Sequence, residues 1–430
     1  MLRRSGFYIA SKLAAVLLSV GLLSCAGSTQ APTTSRRAAD TRTFSAALFP
    51  YIPDSGGDGY AALTARLEEL FEKRHPGVDL RLSMDASVDF YDQGTLEGLL
   101  GSGTGAFDMV EVDTLLLGDL VRDGLIRALP FDVSAFGALD LALQASTVDS
   151  VPYGVPTYLC GNFIYSWDGD VRLVGSGEEL IEWLHKKTAP DSTALVGNFK
   201  GSWTLPGFYV DDWADTHSNE PAEVATAFEL PLDADTMRTF SPVVDLCGVD
   251  GGPCLDGTYK DNTQAESLFA DKKAHAFVGY SERLFYILQA RAKPGEPKPF
   301  VISAPLGGDS RPLFFVDALV LNPSCDGTCA EDAEAFSRFM SSLEVRNLIA
   351  FSLDVEARTY PRYLLQALAS FYYSSPARED VVYRQLRLFL DDAEAFPNQG
   401  FPAARGALNT ALGEALAEDG AVSTAGKGKG

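Results

Sequence analysis

The stretch Tyr153–Tyr165 reads YGVPTYLCGNFIY, and the rest of the sequence is best understood from it outward. It is apolar and aromatic, and it carries one cysteine, Cys160, near its centre. A cysteine with apolar neighbours is most often an inert core residue. Cys160, however, follows YGVP, where a chain can cross between two lobes, and an unpaired thiol is uncommon in a secreted protein. The sequence therefore leaves two interpretations of Cys160, as a packed residue or as a nucleophile.

Strands and helices alternate ahead of this stretch. The pattern predicts strands at Phe44–Phe49, Val78–Met84 and Phe107–Asp113, and helices through Leu63–Phe71 and Leu115–Val121. This alternation indicates an open α/β sheet. Ligands bind such sheets at the carboxyl ends of the strands. Tyr51 and Asp113 each fall just past a strand end, so both are candidate ligand contacts.

A second α/β unit follows Cys160. The predicted elements are helices at Glu178–His185 and Phe208–Trp213, strands at Ala274–Tyr280, Phe300–Pro305 and Leu313–Leu321, and then helices at Ala333–Phe351, Tyr363–Tyr373 and Val381–Phe396. We expect the Lys/Gly-containing tail, Ser423–Gly430, to lack structure.

The first 24 residues are typical of a secretory signal peptide. Basic residues precede an apolar run, Leu13–Leu23, which is shorter than the ~20 apolar residues that cross a bilayer. The run ends at a small residue followed by Cys25, a pattern similar to bacterial lipoprotein signals. We expect export across the inner membrane and a cell-envelope lipoprotein in the periplasm, outer membrane or cell surface. Plain secretion and a retained helix are the alternatives, and residues 25–42 are expected to form a lipidated or flexible tether.

The net charge excludes one class of partner. It is −23 at pH 7, and loss of the basic leader would make the mature chain more acidic still. Such a surface repels nucleic acid and anionic lipid. We therefore expect no nucleic-acid partner and membrane contact only through a lipid anchor.

Six cysteines permit an argument from pairing. Cys25 belongs to the leader motif. Two pairs, Cys247 with Cys254 and Cys325 with Cys329, bracket short loops and are predicted disulfides, which leaves Cys160 unpaired. A zinc site built from the two pairs is the rival interpretation, although no histidine lies at ligand spacing from either pair. Elsewhere, the acidic run Asp211–Asp215 with His217 could at most hold an opportunistic cation, so we expect no metal.

Two acidic residues have positions suited to chemistry. Glu282 lies at a strand-to-helix junction and is our candidate base for the thiol, although a first-turn glutamate also favours the helix dipole. Asp317 interrupts an apolar strand. A buried unpaired charge is costly, so this carboxylate should face a ligand or a fixed partner. A purely structural hydrogen-bond acceptor is the alternative for Asp317.

Four stretches carry a resemblance to a known family. They are FPYIPD at Phe49–Asp54, YGVP with Leu159, Cys160 and Asn162, FVGYSE at Phe277–Glu282, and PLFFVD at Pro312–Asp317. With them the chain resembles thiaminase I, also called thiamine pyridinylase. The resemblance implies a two-lobed α/β fold of the periplasmic-binding-protein type (type II), with a ligand cleft between the lobes. We assign residues 43–157 and 302–342 to lobe 1, residues 158–301 and 343–420 to lobe 2, and residues 421–430 to a disordered tail.

The resemblance also implies roles for individual residues. Cys160 matches the nucleophile that attacks the pyrimidine ring of thiamine, and Glu282 matches the acid/base that activates the thiol. The residues that match the substrate pocket are Tyr51, Asp113, Tyr259, Tyr280, Phe315 and Asp317. Tyr259 matches less closely in spacing, and Phe315 stands where the family has tyrosine, which removes a hydroxyl group from the pocket.

We therefore expect a transferase that replaces the thiazole of thiamine with an amine or thiol, through a covalent pyrimidinyl-cysteine intermediate and without a cofactor. The alternative is a non-enzymatic solute-binding lipoprotein that delivers thiamine or a related pyrimidine to an ABC importer. A surface interaction module is a third and weaker hypothesis. A tethered, lobed protein is expected to be a monomer.

Overall fold

The computed structural model describes residues 41–103, 105–188, 193–248, 252–291, 297–304, 310–356 and 359–427. The predicted signal peptide and almost all of the tether, with Cys25, lie outside the described residues. No helix in the described ranges combines the length and the apolar composition that crossing a membrane requires.

The strands of the described residues form two main sheets and one small hairpin. They are β1 (Arg42–Ala47), β2 (Val78–Ser83), β3 (Met109–Asp113), β4 (Thr147–Val148), β5 (Val151–Pro152), β6 (Gly154–Cys160), β7 (Phe163–Ser166), β8 (Thr193–Gly197), β9 (Ala274–Gly279), β10 (Phe300–Ser303), β11 (Leu313–Leu321), β12 (Leu365–Gln366) and β13 (Glu394–Ala395).

The helices are α1 (Ala61–Arg74), α2 (Gln93–Leu100), α3 (Leu117–Arg122), α4 (Asp140–Ala145), α5 (Gly177–Lys187), α6 (Thr204–Thr216), α7 (Pro221–Val224), α8 (Ala234–Asp245), α9 (Gly252–Leu255), α10 (Thr263–Ala270), α11 (Arg283–Arg291), α12 (Thr328–Met340), α13 (Leu343–Ala350), α14 (Ser375–Glu379), α15 (Val381–Arg387) and α16 (Phe401–Lys427).

The larger sheet has the strand order β12-β6-β11-β3-β1-β2, and β13 pairs with the start of β11. Strands β2, β1 and β3 run parallel, as the alternating pattern predicted, whereas β11 runs antiparallel to β3 and β6, and β6 runs antiparallel to β12. Helix α1 buries Leu63, Leu67 and Phe71 and ends at Arg74, with His75 as its cap before a proline that disfavours further helix. The carboxyl ends of β1 and β3 therefore lie at one edge of the sheet.

The smaller sheet has the order β10-β7-β9-β8. The chain passes from the larger to the smaller sheet between Cys160, the last residue of β6, and Phe163, the first residue of β7. It returns between β10 and β11. Apolar residues on either side of the first passage, such as Leu159 and Phe163, belong to one continuous core. Tyr153–Tyr165 is thus the stretch that joins the two sheets.

From Thr41 onward the chain forms one compact unit, so the assigned limits of the two lobes stay a prediction. Strand pairing adds one detail. Residues 365–366, assigned from the sequence to lobe 2, pair as β12 with β6 and so lie in the larger sheet. The helix predicted over Tyr363–Tyr373 is therefore wrong. Tyr363 has φ +53°, outside the helical region, and only a 3₁₀ turn, Ala369–Tyr373, follows.

Two further helix predictions and the prediction for the C-terminal tail need correction. The predicted helix over Ala333–Phe351 is divided into α12 and α13, and Ser342 caps α13 by accepting from the amide of Val345. The predicted helix over Val381–Phe396 ends at Arg387, because Glu394 and Ala395 pair with β11. Helix α16 continues to Lys427, into the tail that was expected to lack structure, since its sequence is rich in the good helix former alanine.

Both predicted disulfides are present. Cys247 bonds to Cys254 and Cys325 bonds to Cys329, and among the described cysteines Cys160 is free. The zinc interpretation fails because disulfide sulfurs are not thiolates. A grouping of Asp108 with Cys325 and Cys329 lies within ligand distance, but its two sulfurs are already joined to each other.

Candidate active site

Three strands of the larger sheet bring the predicted nucleophile and two acids together. In the register of β11, Asp317 lies opposite Asp113 of β3, and Phe315 lies opposite Cys160 of β6. The Cys160 Sγ is 4.0 Å from the Asp317 Oδ2. The pairing of β11 with β6 shifts between Asp317 and Ala318, an irregularity of the kind that re-aims side chains next to active sites.

Asp113 is buried and held from two sides. Its Oδ1 accepts from the amide of Leu115 at 3.0 Å, and its Oδ2 accepts from the hydroxyl of Tyr91 at 3.0 Å. Burial raises the pKa of Asp113 to about 7, although both hydrogen bonds act in the opposite direction. Burial, and then the neighbouring Asp113, raises the pKa of Asp317 well above its ordinary range. The two carboxyl groups therefore resist carrying two negative charges together.

Tyr91 is not among the site residues predicted from the sequence. This residue lies in the loop between β2 and α2. The strand-end argument that selected Tyr51 and Asp113 applies to β2 as well, and it would have pointed to this loop. The hydroxyl group of Tyr91 is the one that reaches Asp113, whereas the exposed Tyr51 hydroxyl lies 3.5 Å from the carbonyl of Val88.

The Cys160 thiol is partly buried and electrostatically held in its neutral form. Burial raises its pKa well above the ordinary value, and Asp317, Glu282 and Asp113 raise it further. Arg283 acts in the opposite direction, but more weakly. A thiolate at this position therefore needs an additional positive charge.

Glu282 lies where the sequence predicted it, between β9 and α11. Its Oε1 accepts from the Arg283 Nε at 3.2 Å, and the Arg283 Nη1 donates to Glu266 at 3.3 Å. The Glu282 Oε2 is buried and has no hydrogen-bond partner among the described residues. Burial raises the pKa of Glu282, and Arg283 moderates that rise. A raised pKa and one free oxygen suit a group that accepts a proton.

Aromatic side chains form two walls near these groups. In the first, Tyr51, Tyr91 and Trp203 follow one another, with ring centroids 6.0 Å and 4.9 Å apart. In the second, Phe315 is 6.5 Å from Tyr280 and stacks on Phe396 at 4.4 Å. Aromatic faces near carboxyl groups are suited to a flat, cationic ligand.

The C-terminal helix completes the first wall. The Arg405 guanidinium of α16 lies 3.8 Å from the centroid of the Trp203 ring, and its Nη1 donates to the hydroxyl of Ser202. Phe401, also on α16, contacts Trp203 at 6.1 Å between ring centroids. Residues from near the start and near the end of the described chain therefore meet at this wall.

Tyr259 lies apart from these contacts. Its side chain is 4% exposed and packs in the hydrophobic core, and its carbonyl accepts from the amide of Asn262. Asn262 lines a cavity of about 100 Å³ beside Tyr280. The other polar residues that line this cavity are Asn162, Asn198, Thr204 and Arg283. The described contacts bring the remaining predicted pocket residues together but not Tyr259.

The acidic residues of α6 are committed to internal contacts. Asp211 accepts from the side chain of Asn162, Asp212 accepts from Thr239, and Asp215 accepts from the amide of Arg311. His217 is 2.9 Å from Asp233. Burial raises the pKa of Asp211 to about 7. These groups hold parts of the chain together, which leaves little reason to read them as a cation site.

Comparison with known proteins confirms the resemblance and the fold class expected from the sequence. No family model matches the chain. The chain is 26% identical over 355 residues to Thiaminase-1 of Paenibacillus thiaminolyticus, with 77% of each chain covered. The structure of Clostridium botulinum thiaminase I in complex with thiamin has a TM-score of 0.69 at 20% identity, covering 87% of this chain and 99% of that one.

Solute-binding proteins share the same architecture. A maltose/maltodextrin-binding domain from Bdellovibrio bacteriovorus, bound to maltotriose, has a TM-score of 0.61 at 15% identity, covering 90% of this chain and 99% of that one. This likeness concerns the fold alone. The chain is thus a homologue of thiaminase I, built on the two-lobed α/β fold that thiaminase I shares with periplasmic solute-binding proteins.

Proposed function

We propose that the protein is a thiaminase I-like transferase that degrades thiamine by replacing its thiazole with an amine or a thiol. The observation that carries the proposal is the unpaired Cys160, whose Sγ lies 4.0 Å from the Asp317 Oδ2. Asp113 in turn lies opposite Asp317 in the sheet. A binding protein for thiamine would use the acids and the aromatic walls. It would have no need of a free thiol among them.

The charge of the substrate explains the apparent contradiction of a nucleophile surrounded by acids. Thiamine carries a fixed positive charge on its thiazolium ring. Bound between the carboxylates and the aromatic walls, that charge opposes the effects of Asp317, Asp113 and Glu282 on the thiol. The pKa of Cys160 then falls when substrate is present, so the thiolate forms only beside its target.

The reaction proceeds in two steps. Glu282 accepts the proton of Cys160, and the thiolate adds to the electron-poor pyrimidine ring. The bond between the bridging methylene carbon and the thiazolium nitrogen breaks, and its electron pair leaves with the neutral thiazole. An amine or thiol then bonds to the methylene carbon. The carbon–sulfur bond to Cys160 breaks, and the sulfur regains a proton through Glu282.

The test is thiazole release from thiamine in the presence of pyridine, measured for the wild type and for Cys160→Ser. We expect steady release by the wild type and a loss of about a thousandfold or more in the variant, as is usual when a covalent nucleophile is removed. Calorimetry should show that Cys160→Ser still binds thiamine.

One result would leave the solute-binding alternative standing. In that case the wild type would bind thiamine tightly, yet release no thiazole with pyridine, with aromatic or aliphatic amines, or with thiols. Equal rates for the wild type and Cys160→Ser would instead show that another group is the nucleophile.

A further inference from the structure

The two connecting segments between the sheets meet at residues that the structure describes. The first is Gly161-Asn162, between β6 and β7, and the second lies between β10 and β11, where the structure describes Ala304 and residues 310–312. The carbonyl of Asn162 accepts from the amide of Ala304 at 3.1 Å, which joins the two segments directly. Cys160 precedes the first segment, and Phe315 and Asp317 follow the second. The position of these segments therefore sets the position of the candidate catalytic groups.

A single carboxylate on α6 binds the first segment and the first residue of β11. The Asp211 Oδ2 accepts from the Asn162 Nδ2 at 3.0 Å, and the Asp211 Oδ1 accepts from the amide of Leu313 at 3.4 Å. Asp211 is 6% exposed, so water does not compete freely for these bonds. The carboxylate itself belongs to α6, which lies in the chain between β8 and β9 of the smaller sheet, whereas Leu313 begins a strand of the larger one.

Gly161 of the first segment is packed tightly against the start of β11. A Cβ placed on Gly161 would lie 2.3 Å from the ring of Phe314, far inside van der Waals contact. The first connecting segment therefore lies directly against the residue that follows Leu313. In such close packing, a displacement of either segment is transmitted to the other rather than absorbed.

We propose that Asp211 is a positioning residue, which fixes Cys160 against Asp317 by fastening Asn162 and the start of β11 to α6. This inference rests on the proposed function, and it assigns Asp211 no contact with substrate. Its effect is on geometry, where a misplacement of about 1 Å can cost a hundredfold in rate.

The adjacent residue is a matched control. Asp212 lies on the same helix and is completely buried, and its hydroxyl partners are Thr239 at 3.1 Å and Thr216 at 3.4 Å. These bonds stay within α6, its C-terminal end and α8. Loss of Asp212 should therefore weaken the same region without releasing the connecting segments.

The experiment compares Asp211→Ala with Asp212→Ala, with Asp211→Asn as the conservative variant. We expect kcat for thiazole release to fall about a hundredfold in Asp211→Ala, while KM for thiamine changes less than threefold. Asp212→Ala should keep kcat within twofold of the wild type, even where its Tm falls. Asp211→Asn should recover kcat to within about fivefold, because its amide can bond to both Leu313 and a rotated Asn162 side chain.

A second variant and a second measurement cover the other outcomes. If Asp211→Ala does not fold, Asn162→Leu removes the same bond from the other side and should show the same loss of kcat.

Peptide-resolved alkylation of Cys160 by iodoacetamide reports the environment of the thiol without turnover. The alkylation rate should change at least fivefold in Asp211→Ala but not in Asp212→Ala. A wild type that releases no thiazole would refute the proposed function, and the alkylation rates would still decide this inference. Equal kcat and equal alkylation rates in the wild type, Asp211→Ala and Asn162→Leu would overturn it.

Discussion

Two buried acidic sites in this protein are built in opposite ways. Asp354 is paired with Arg362 through two hydrogen bonds of 2.7 and 2.8 Å, and their side chains are 2% and 0% exposed. Arg362 also donates to the carbonyls of Pro53 and Ile349. The charge of Asp354 is thus neutralised entirely within the fold.

Within the described ranges, the acids beside Cys160 have no such partner. The described bonds of Asp113 go to a hydroxyl and an amide, and Asp317 faces a thiol. The nearby cation, Arg283, is already shared between Glu282 and Glu266. The protein therefore neutralises one buried acid with its own arginine, whereas the described residues place no such cation against Asp113 or Asp317. This difference is expected where a cationic ligand supplies the positive charge.

The largest expected effect concerns the internal pair. Arg362→Met should lower the free energy of unfolding by about 3–5 kcal/mol, because it leaves Asp354 charged, buried and alone. Urea denaturation at pH 7 measures this. The double variant Arg362→Met/Asp354→Asn is the control and should recover part of the loss. A single variant as stable as the wild type would show that Asp354 is not neutralised by Arg362.

The corresponding change at the active site should have the opposite sign for stability. The pKa of Asp317 is raised in the folded state, so the folded protein holds a proton that the unfolded chain releases, and stability falls as pH rises above about 4. Asp317→Asn removes this penalty. We expect the variant to be more stable by about 1–3 kcal/mol at pH 8, with little difference near pH 4.

Activity should fall in the same variant. Loss of a carboxylate near the bound cation should reduce kcat/KM for thiamine about a hundredfold, which is within the range for electrostatic groups in active sites. A variant that is both less stable at pH 8 and fully active would contradict the contrast between the two acidic sites.

The smallest effect is a pH dependence of binding. The pKa of Asp113 is raised to about 7, so this carboxyl group is protonated below that pH and attracts the cation less. In the Cys160→Ser background, which cannot turn over, the Kd for thiamine should rise about three- to tenfold between pH 8 and pH 6. Adding Asp113→Asn should flatten this dependence and leave binding weak throughout. Calorimetry at four pH values measures both.

The sequence was most informative where one residue type had a strong local reason for its position. Cysteine pairing identified both disulfides and left Cys160 free. Strand ends selected Tyr51 and Asp113 as candidate ligand contacts, which stays a prediction. Asp317 was noticed because it breaks an apolar strand. Each of these inferences needs only a few neighbouring residues.

The remaining features depend on pairings between distant segments. No local sequence signal indicates that Leu365 and Gln366 pair with β6, some 200 residues earlier. The apolar pattern of Tyr363–Tyr373 therefore predicted a helix. The end of β2 pointed to the loop of Tyr91, but the hydrogen bond from Tyr91 to Asp113 depends on how the larger sheet brings the ends of β2 and β3 together. The raised pKa of Asp113 likewise arises from burial, which the sequence around it does not determine.

The contact of α16 with Trp203 has a consequence for when the aromatic wall can form during synthesis of the chain. The aromatic wall runs from Tyr51 through Tyr91 and Trp203 to Arg405. Synthesis delivers these residues one after another, and Arg405 comes about 350 residues after Tyr51. A growing chain therefore contains Cys160 long before it contains every residue of this wall, and the wall can form only after Arg405 has been added.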